Sequence, residues 1–249
     1  MKKVDFNKDW MCKCLTREEV AYEVTLPHDA MRSEPRTEES AGEGNIGWYI
    51  GGDYEYTKKF SVPKEYENKK LVLEFESVYR NAEVYINEEK AAFRPYGYTN
   101  FYVEINDFLR YGEENVIRVV AHNADQPNSR WYSGTGIYRP VYLYIGEENY
   151  IPVNGVKIRT TDYKTGEIEV KVETCGAGVL QVEILDGENN VYSVSKEVEA
   201  QKDKESRKVY DFQDKKSLKK KEKVTTKEWI FDERIFSEST FRIKLPEAK

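Results

Sequence analysis

The chain has 249 residues, of which 39% are hydrophobic and 34% are charged, and its formal net charge at pH 7 is -6. This acidic balance excludes nucleic acid as an expected partner. No apolar run approaches the ~18 residues of a membrane helix, so no membrane association is expected. Asp5, Asn7 and Asp9 interrupt the start of the chain, which argues against an apolar targeting segment there and predicts a cytoplasmic location.

Strand patterns dominate the first part of the chain. Six segments place β-branched or aromatic residues at near-alternate positions, and turn residues separate them. The predicted strands are Tyr54–Val62, Lys70–Glu76, Ala82–Asn87, Phe101–Ile105, Asn115–Ala121 and Val141–Ile145. A short helical turn is predicted over Ile105–Arg110, with Asn106 or Asp107 as its N-cap. Many short strands without a long helical period predict an antiparallel β-sandwich.

A loop of eighteen residues, Asn123–Pro140, separates the last two of these strands and is too long for a hairpin turn. An ordered loop would use its aromatic residues as anchors and present polar groups such as Asn128 and Arg130. Aromatic rings beside Arg and Asn favour stacking on a sugar ring and hydrogen bonding to its hydroxyls. In the alternative interpretation, Gly134 and Gly136 only turn the chain, while the aromatics close one end of the sandwich.

Two domains are predicted, over residues 1–147 and 150–249. In the second, alternation predicts the strands Val156–Thr160, Glu167–Thr174, Val179–Leu185, Val191–Val198 and Phe241–Leu245. This pattern is typical of an immunoglobulin-like β-sandwich, here incomplete at its end. A lysine-rich stretch at about residues 201–228 interrupts the pattern. Because Asp and Glu are interspersed with its lysines, a solvated insertion is favoured over a basic patch for an acidic surface.

The cysteines Cys12, Cys14 and Cys175 do not form a metal-binding pattern, because the chain has only two histidines and no further closely spaced cysteine pair. Free, reduced thiols are therefore expected, with no metal and no cofactor. Cys12 and Cys14 should project from the same face of one strand.

Short motifs in a fixed order along residues 4–145 carry a family resemblance. They are Phe6-Asn7-Lys8-Asp9-Trp10, Leu26-Pro27-His28-Asp29-Ala30, Gly51-Gly52-Asp53-Tyr54, Tyr79-Arg80-Asn81-Ala82-Glu83, Arg94-Pro95-Tyr96-Gly97-Tyr98 and the Ser129–Arg139 loop. In this order the chain resembles the amino-terminal part of glycoside hydrolase family 2, and most closely its bacterial β-galactosidase-like members. The resemblance implies a jelly-roll, galactose-binding-like domain, then an immunoglobulin-like domain, then a catalytic (β/α)8 barrel that is absent from this chain.

The resemblance also implies a function. Family members are retaining β-glycosidases whose two catalytic carboxylates lie on the barrel. The chain is therefore expected to be a non-catalytic, inactive portion that shapes an active-site entrance for a β-galactoside or related β-glycoside, with the barrel of the same parent chain as its partner. The alternatives are a free-standing carbohydrate-binding module and a structural, adhesion-type pair of β domains. A second domain that ends early also predicts an unpaired edge strand and a homo-oligomer.

The predicted substrate rim contains no catalytic residue and consists of Asn128, Arg130, Trp131, Gly51, Gly52 and Asn81. The resemblance implies that the longer β-galactosidases and the β-glucuronidases of the family carry a carboxylate that reaches the sugar at the position of Arg130. Since Arg cannot accept a hydroxyl proton, Arg130 is expected either to donate to sugar oxygens or only to hold the loop. For Asn81 the alternative is a buried amide that satisfies loop backbone.

Four other residues are assigned structural roles. Trp10 and Trp48 both precede strands and are predicted to plug the sandwich core rather than to stack on sugars. His28 is predicted to be a hydrogen-bonded structural residue, because no serine or cysteine nucleophile is spaced to use it. Arg139 is predicted to form a structural ion pair.

Overall fold

The computed structural model describes residues 1–162, 164, 167–186, 189–198, 208–211 and 240–244. The chain forms two compact units, of which the first is Lys2–Ile145 and the second begins at Gly146. The regular elements described are β-strands and short 3-10 helices, so the predicted all-β class is confirmed. None of the described helices is long and apolar enough to cross a membrane.

The strands of the first unit pair in two antiparallel sheets. In chain order they are β1 (Lys2–Asp5), β2 (Trp10–Cys14), β3 (Tyr22–Val24), β4 (Tyr54–Ser61), β5 (Lys70–Phe75), β6 (Ala82–Ile86), β7 (Glu89–Arg94), β8 (Phe101–Glu104), β9 (Glu114–Ala121) and β10 (Val141–Gly146). One sheet has the strand order β3-β2-β4-β9-β6-β7, and the other has the order β1-β10-β5-β8. The 3-10 helices of this unit cover Ala30–Ser33, Glu43–Ile46, Lys64–Tyr66 and Asn106–Phe108.

The two sheets enclose one apolar core, because alternate residues of each strand point inward. Trp10 and Ile117 from the six-stranded sheet are fully buried together with Phe75 from the four-stranded sheet. Burying a side chain of this size contributes about 1.5–3 kcal/mol. Cys12 and Cys14 both belong to this core, as their spacing predicts. The result is the jelly-roll sandwich that the sequence indicates.

The six strands predicted for this unit are present as β4, β5, β6, β8, β9 and β10. The predicted N-cap of the short helix is wrong, because the cap position is Ile105, whose side chain forms no capping hydrogen bond. Asn106 instead accepts the N–H of Leu71 at 2.9 Å and donates to the carbonyl of Lys69 at 2.7 Å. Its amide therefore ties the helical turn to the start of β5.

The described residues of the second unit form two three-stranded antiparallel sheets. Its strands are β11 (Val156–Asp162), β12 (Glu167–Thr174), β13 (Gly178–Asp186), β14 (Asn189–Val198), β15 (Lys208–Asp211) and β16 (Thr240–Lys244), in the sheet orders β11-β12-β15 and β14-β13-β16. Val170, Val172, Leu180 and Val182 form its core. β15 falls inside the lysine-rich stretch, and the solvated character of that stretch stays a prediction. The rest of that stretch lies outside the described residues.

Candidate functional site

Two aspartates hold the loop that joins β9 to β10. At its start, one oxygen of Asp53 accepts the backbone N–H groups of Asn123 at 2.8 Å and Ala124 at 2.9 Å, and the other contacts Nδ1 of His122 at 2.8 Å. Asp53 directly precedes β4, which pairs with β9, so this anchor continues the sheet. The beginning of the loop is therefore fixed to the six-stranded sheet.

Asp29 holds the second half of the loop. Its Oδ1 atom accepts a hydrogen bond of 3.0 Å from the backbone N–H of Thr135. Its Oδ2 atom accepts a hydrogen bond of 2.6 Å from the hydroxyl of Tyr132. A Cβ atom at Gly134, where φ is 70°, would lie 2.7 Å from Oδ2 of Asp29, and a Cβ at Gly136 would collide with the hydroxyl of Tyr56. The glycines are thus required for close packing at these two positions.

Buried amides fill the space between the two anchors. Asn123 is fully buried and donates to the carbonyl of Gly134 at 3.1 Å and to Oγ1 of Thr135 at 2.6 Å. Asn128 donates to Oδ1 of Asn123 at 2.7 Å and to the carbonyl of Asp125 at 2.8 Å. Both amide protons of Asn128 are therefore used within the loop. Sequence reasoning missed Asn123, whose position directly after a predicted strand was the available signal.

Exposed aromatic rings form one edge of this loop. The indole N–H of Trp131 donates to the hydroxyl of Tyr98 at 3.0 Å, and the ring of Tyr98 lies 5.2 Å from that of Tyr79 and 5.6 Å from that of Tyr96. Trp131 is 60% exposed and Tyr96 is 56% exposed, whereas Tyr79 is buried. We call Tyr79, Tyr96, Tyr98 and Trp131 the aromatic rim. Such faces can stack on the apolar face of a sugar ring.

Hydrogen bonds to the neighbouring buried groups fix the position of the aromatic rim. The hydroxyl of Tyr79 donates to Oδ1 of Asn128 at 3.1 Å, which joins the rim to the buried amides of the loop. The hydroxyl of Tyr138 donates to the carbonyl of Gly97 at 2.7 Å, between the two exposed tyrosines of the rim. Tyr79 and Gly136 also exchange backbone hydrogen bonds. The rings are therefore held in place before any ligand binds.

The six residues predicted for the substrate rim do not all lie together in the structure. Asn128 and Trp131 come together at the aromatic rim, and the N–H of Asn81 donates at 3.2 Å to the carbonyl of Pro95, which precedes Tyr96. Gly51 lies at the other end of the loop, where its Cβ position is 3.9 Å from the carbonyl of Asn123.

No hydrogen bond or ion pair within the described residues joins the other two rim candidates, Gly52 and Arg130, to the aromatic rim. The Cβ position of Gly52 faces Thr16 and Cys14, so the backbone there packs inside the unit. The Arg130 side chain is exposed and makes no hydrogen bond or ion pair within the described residues. Of its two predicted roles, holding the loop is therefore not seen.

The structural assignments have mixed outcomes. Trp10 is fully buried and donates to the carbonyl of Phe6 at 2.9 Å, as expected of a core residue. The prediction for Trp48 is wrong, because its side chain is 41% exposed in a turn rather than in the core. His28 contacts the hydroxyl of Tyr56 through Nδ1 at 2.9 Å, and burial lowers its pKa. These features fit its predicted structural role.

The ion pair predicted for Arg139 is also wrong, because no ion pair of this residue occurs in the part of the chain that the structure describes. Its guanidinium lies 5.7 Å from the centre of the Tyr138 ring instead. The described residues likewise contain no group of three or more His, Cys, Asp or Glu side chains that could hold a metal ion.

The first unit also contains a cavity of about 340 Å³ away from the aromatic rim. Arg17 lines it and donates to the carbonyl of Gly51 at 2.7 Å, to the hydroxyl of Tyr54 at 2.9 Å and to the carboxylate of Glu34 at 2.5 Å. Glu34 in turn accepts the N–H of Gly51 at 2.9 Å. These hydrogen bonds satisfy the guanidinium of Arg17 and the carboxylate of Glu34. The two side chains therefore support the turn that precedes β4.

Comparison with known proteins decides the family. The model of the family described as glycosyl hydrolase 2 galactose-binding domain-like matches residues 26–181. The chain belongs to this family.

Individual relatives agree with the family assignment. The chain is 46% identical over 121 residues to beta-galactosidase BoGH2A of Bacteroides ovatus. The aligned stretch covers 48% of this chain and 14% of that protein. It is 34% identical over 134 residues to a beta-glucuronidase of Bacteroides fragilis, covering 51% of this chain and 18% of that protein. A crystal structure of a glycosyl hydrolase family 2 member from Bacteroides cellulosilyticus has the same fold, with a TM-score of 0.74 and 24% identity over 85% of this chain and 30% of that chain.

The chain thus spans less than a fifth of the length of these two curated relatives. The matched family segment begins at Leu26 and contains the whole β9–β10 loop and the aromatic rim. The resemblance drawn from the sequence motifs is therefore confirmed at the level of the family.

Proposed function

We propose that this chain is the non-catalytic amino-terminal portion of a retaining β-glycosidase, and that its aromatic rim forms part of the entrance to the active site. The observation that carries this proposal is the hydrogen bond between Trp131 and Tyr98, which joins two solvent-exposed rings into one surface. Exposed aromatic groups held by a buried polar network are suited to sugar recognition, because little conformational entropy remains to be lost on binding.

The two carboxylates that hold the β9–β10 loop support a non-catalytic role. A retaining glycosidase needs two carboxyl groups about 5–5.5 Å apart, one of which must be free to donate and accept protons. Asp29 and Asp53 instead accept backbone N–H groups and a tyrosine hydroxyl, which are contacts of structural anchors. The catalytic pair is accordingly assigned to a barrel that belongs to the same parent protein. The substrate class that fits is a β-galactoside or a related β-glycoside.

A second candidate function is that of a carbohydrate-binding module that acts without a barrel. The observation in its favour is that the aromatic rim is built entirely from the first unit, by the segments after β5, after β7 and after β9. Such a surface covers only one side of a sugar, so affinities no tighter than millimolar are expected for a free monosaccharide.

We also propose that the second unit is an immunoglobulin-like sandwich. Two three-stranded antiparallel sheets that share one small valine and leucine core support this assignment.

The test of the rim is calorimetric titration of the chain with a β-galactosyl oligosaccharide. Trp131→Ala should abolish measurable binding. Phe93→Ala is the matched control, because Phe93 is a similarly exposed aromatic residue, at 54%, that lies beside Lys90 rather than on the aromatic rim. Equal loss of binding in both variants, or no loss in either, would contradict the proposed role of the rim.

A further inference from the structure

A histidine lies between two carboxylates at the point where the β9–β10 loop leaves the six-stranded sheet. Nδ1 of His122 is 2.8 Å from Oδ2 of Asp53, and its Nε2 atom is 3.6 Å from Oε2 of Glu83. Asp53 directly precedes β4 and Glu83 lies on β6, the two strands that flank β9 in the sheet. We call His122, Asp53 and Glu83 the histidine bridge, because the imidazole ring links the two neighbours of β9.

The contacts of the ring can all be satisfied only in its imidazolium form. A neutral imidazole donates from one ring nitrogen and accepts at the other, whereas an imidazolium donates from both. If Nδ1 of the neutral ring donates to Asp53, the lone pair of Nε2 faces the carboxylate of Glu83, which is a repulsive contact. A proton on Nε2 replaces this repulsion with a second charge-assisted contact.

Glu83 stays negatively charged throughout the pH range in which histidine side chains gain or lose a proton, about pH 5 to 8. Hydrogen bonds from Lys90 and then Tyr85 lower the pKa of the Glu83 carboxyl to about 2. Nζ of Lys90 on β7 is 2.5 Å from Oε1, and the hydroxyl of Tyr85 donates to Oε2 at 2.6 Å. A carboxylate therefore faces Nε2 of His122 over the whole of that range.

The charged groups that surround the histidine bridge on this outer face of the sheet contact one another. Glu55 on β4 lies 3.1 Å from Nζ of Lys13 on β2 and 3.7 Å from the guanidinium of Arg118 on β9. Arg118 also lies 3.6 Å from the carboxylate of Glu88. Because these cations have carboxylate partners of their own, the two carboxylates of the bridge dominate the surroundings of His122.

We propose that the histidine bridge is a pH-dependent lock on the loop that carries the aromatic rim. With both ring protons in place, His122 joins Asp53 to Glu83, and release of the Nε2 proton to water leaves the contact with Asp53 alone. Asp53 is also the group that accepts the backbone N–H groups of Asn123 and Ala124 at the start of the loop. The side chain of His122 is 41% exposed, so solvent protons reach it. The lock acts on the loop whatever ligand the rim binds.

The sign of the effect follows from which form of the ring gains a partner. The imidazolium gains its second carboxylate in the folded protein, so this stabilisation is complete at mildly acidic pH and is lost as the pH rises through the histidine range. The other histidine of the chain, His28, acts in the opposite direction, because burial lowers its pKa and makes its protonation costly. Variants that all retain His28 therefore isolate the contribution of His122.

The test is urea unfolding of the full chain at about pH 5.5 and about pH 8, on either side of the midpoint of a histidine. Between these values the folding equilibrium constant of the unmodified protein should fall by about three- to tenfold more than that of the neutral variant His122→Gln. His122→Arg, which keeps a positive charge at both pH values, should show the same reduced dependence as His122→Gln. Equal pH dependence in all three proteins would overturn the proposal.

Nuclear magnetic resonance of the ring nitrogens in the unmodified chain provides a second test that does not depend on the folding of a variant. Both ring nitrogens of His122 should carry a proton at mildly acidic pH. In the neutral ring the remaining proton should lie on Nδ1, which faces Asp53. A neutral ring with its proton on Nε2 would overturn the proposal, because the Nε2 proton is the one that the lock must lose.

Discussion

The hydroxyl of Tyr132 donates a hydrogen bond of 2.6 Å to the carboxylate of Asp29, a residue 103 positions earlier in the chain. Burial, and then this bond, raise the pKa of Tyr132, so the hydroxyl stays a donor at any ordinary pH. The same carboxylate accepts the N–H of Thr135. One side chain thereby fixes both the exposed and the buried part of the loop.

Asp29→Ala should destabilise the first unit by about 2–4 kcal/mol, because it leaves the N–H of Thr135 and the hydroxyl of Tyr132 without their acceptor. Urea unfolding followed by circular dichroism measures the change. Tyr132→Phe is the matched control, and it should cost about 1–2 kcal/mol, since it removes one of these bonds. An unchanged urea midpoint for Asp29→Ala would show that the carboxylate does not hold the loop.

Gly136→Ala should destabilise the protein by more than about 2 kcal/mol. The added methyl group would collide with the hydroxyl of Tyr56, and φ at this position is 110°. Gly44→Ala is the control, because nothing lies within 4 Å of its Cβ position, and its effect should stay within about 0.5 kcal/mol. Thermal melting compares the two variants, and similar melting temperatures would contradict the packing described for Gly136.

Stability should fall as the pH is lowered through the acidic range, in part because of Glu83. Hydrogen bonds from Lys90 and then Tyr85 lower the pKa of this carboxyl from 4.5 to about 2. A group whose pKa is lower in the folded state adds stability above its unfolded pKa and loses it as the pH falls toward the folded value. The window therefore lies between about pH 4.5 and pH 2.

Glu83→Gln should make the pH dependence of stability less steep within that window and leave stability near pH 7 slightly reduced. The expected change in the free energy of unfolding is small, because Glu83 is only partly buried and solvent screens its interaction with Lys90. Urea midpoints at several pH values measure it, with Glu38→Gln at an exposed site as the control. Parallel curves for Glu83→Gln and the unmodified protein would refute the assignment.

On the proposed function, Arg130→Ala in the full-length protein should lower kcat/KM for a β-glycoside by about 10 to 100-fold, which corresponds to about 1.4–2.7 kcal/mol of transition-state binding. The melting temperature should not change, because Arg130 is exposed and forms no contact within the described residues. Unchanged kinetics with a lowered melting temperature would mean that Arg130 supports the loop rather than the substrate.

The chain by itself should not hydrolyse a chromogenic β-galactoside, because Asp29 and Asp53, whose carboxylates contact the β9–β10 loop, are engaged as anchors. The measurement is release of nitrophenol by chain purified from a host that lacks β-galactosidase. Turnover that persists through repeated purification, and that is lost in Asp29→Asn, would place catalysis in this chain.

The sequence predicts the long strands of the first unit because their residues alternate between core and surface, as in β4 and β9. It does not predict β7, Glu89–Arg94, whose residues are all exposed or half-buried, so that its pattern carries little contrast. β1 and β3 are four and three residues long and offer too short a pattern. Low local hydrophobic contrast therefore accounts for the absence of β7 from the prediction.

Only part of the candidate site could be predicted from the sequence. Asn128 and Trp131 could be assigned to the rim because their residue types already suit sugar recognition. Their supports, Asp29 and Asp53, act on residues 106 and 70 positions away, and no local pattern reports such pairs. Trp48 was misplaced because a large aromatic residue beside a strand is more often buried than exposed.

The backbone exchange between Tyr79 and Gly136 has a consequence for how the protein loses its structure. Tyr79 lies on the connection from β5, in the four-stranded sheet, to β6, in the six-stranded sheet, while Asp53 fastens the other end of the loop beside β4. The β9–β10 loop therefore connects the two sheets of the sandwich through these hydrogen bonds. The hydrogen-bonded N–H groups of Asn123, Thr135 and Gly136 should therefore exchange with solvent deuterium only when the sandwich itself opens, so that loss of these anchors and loss of the fold become one cooperative event.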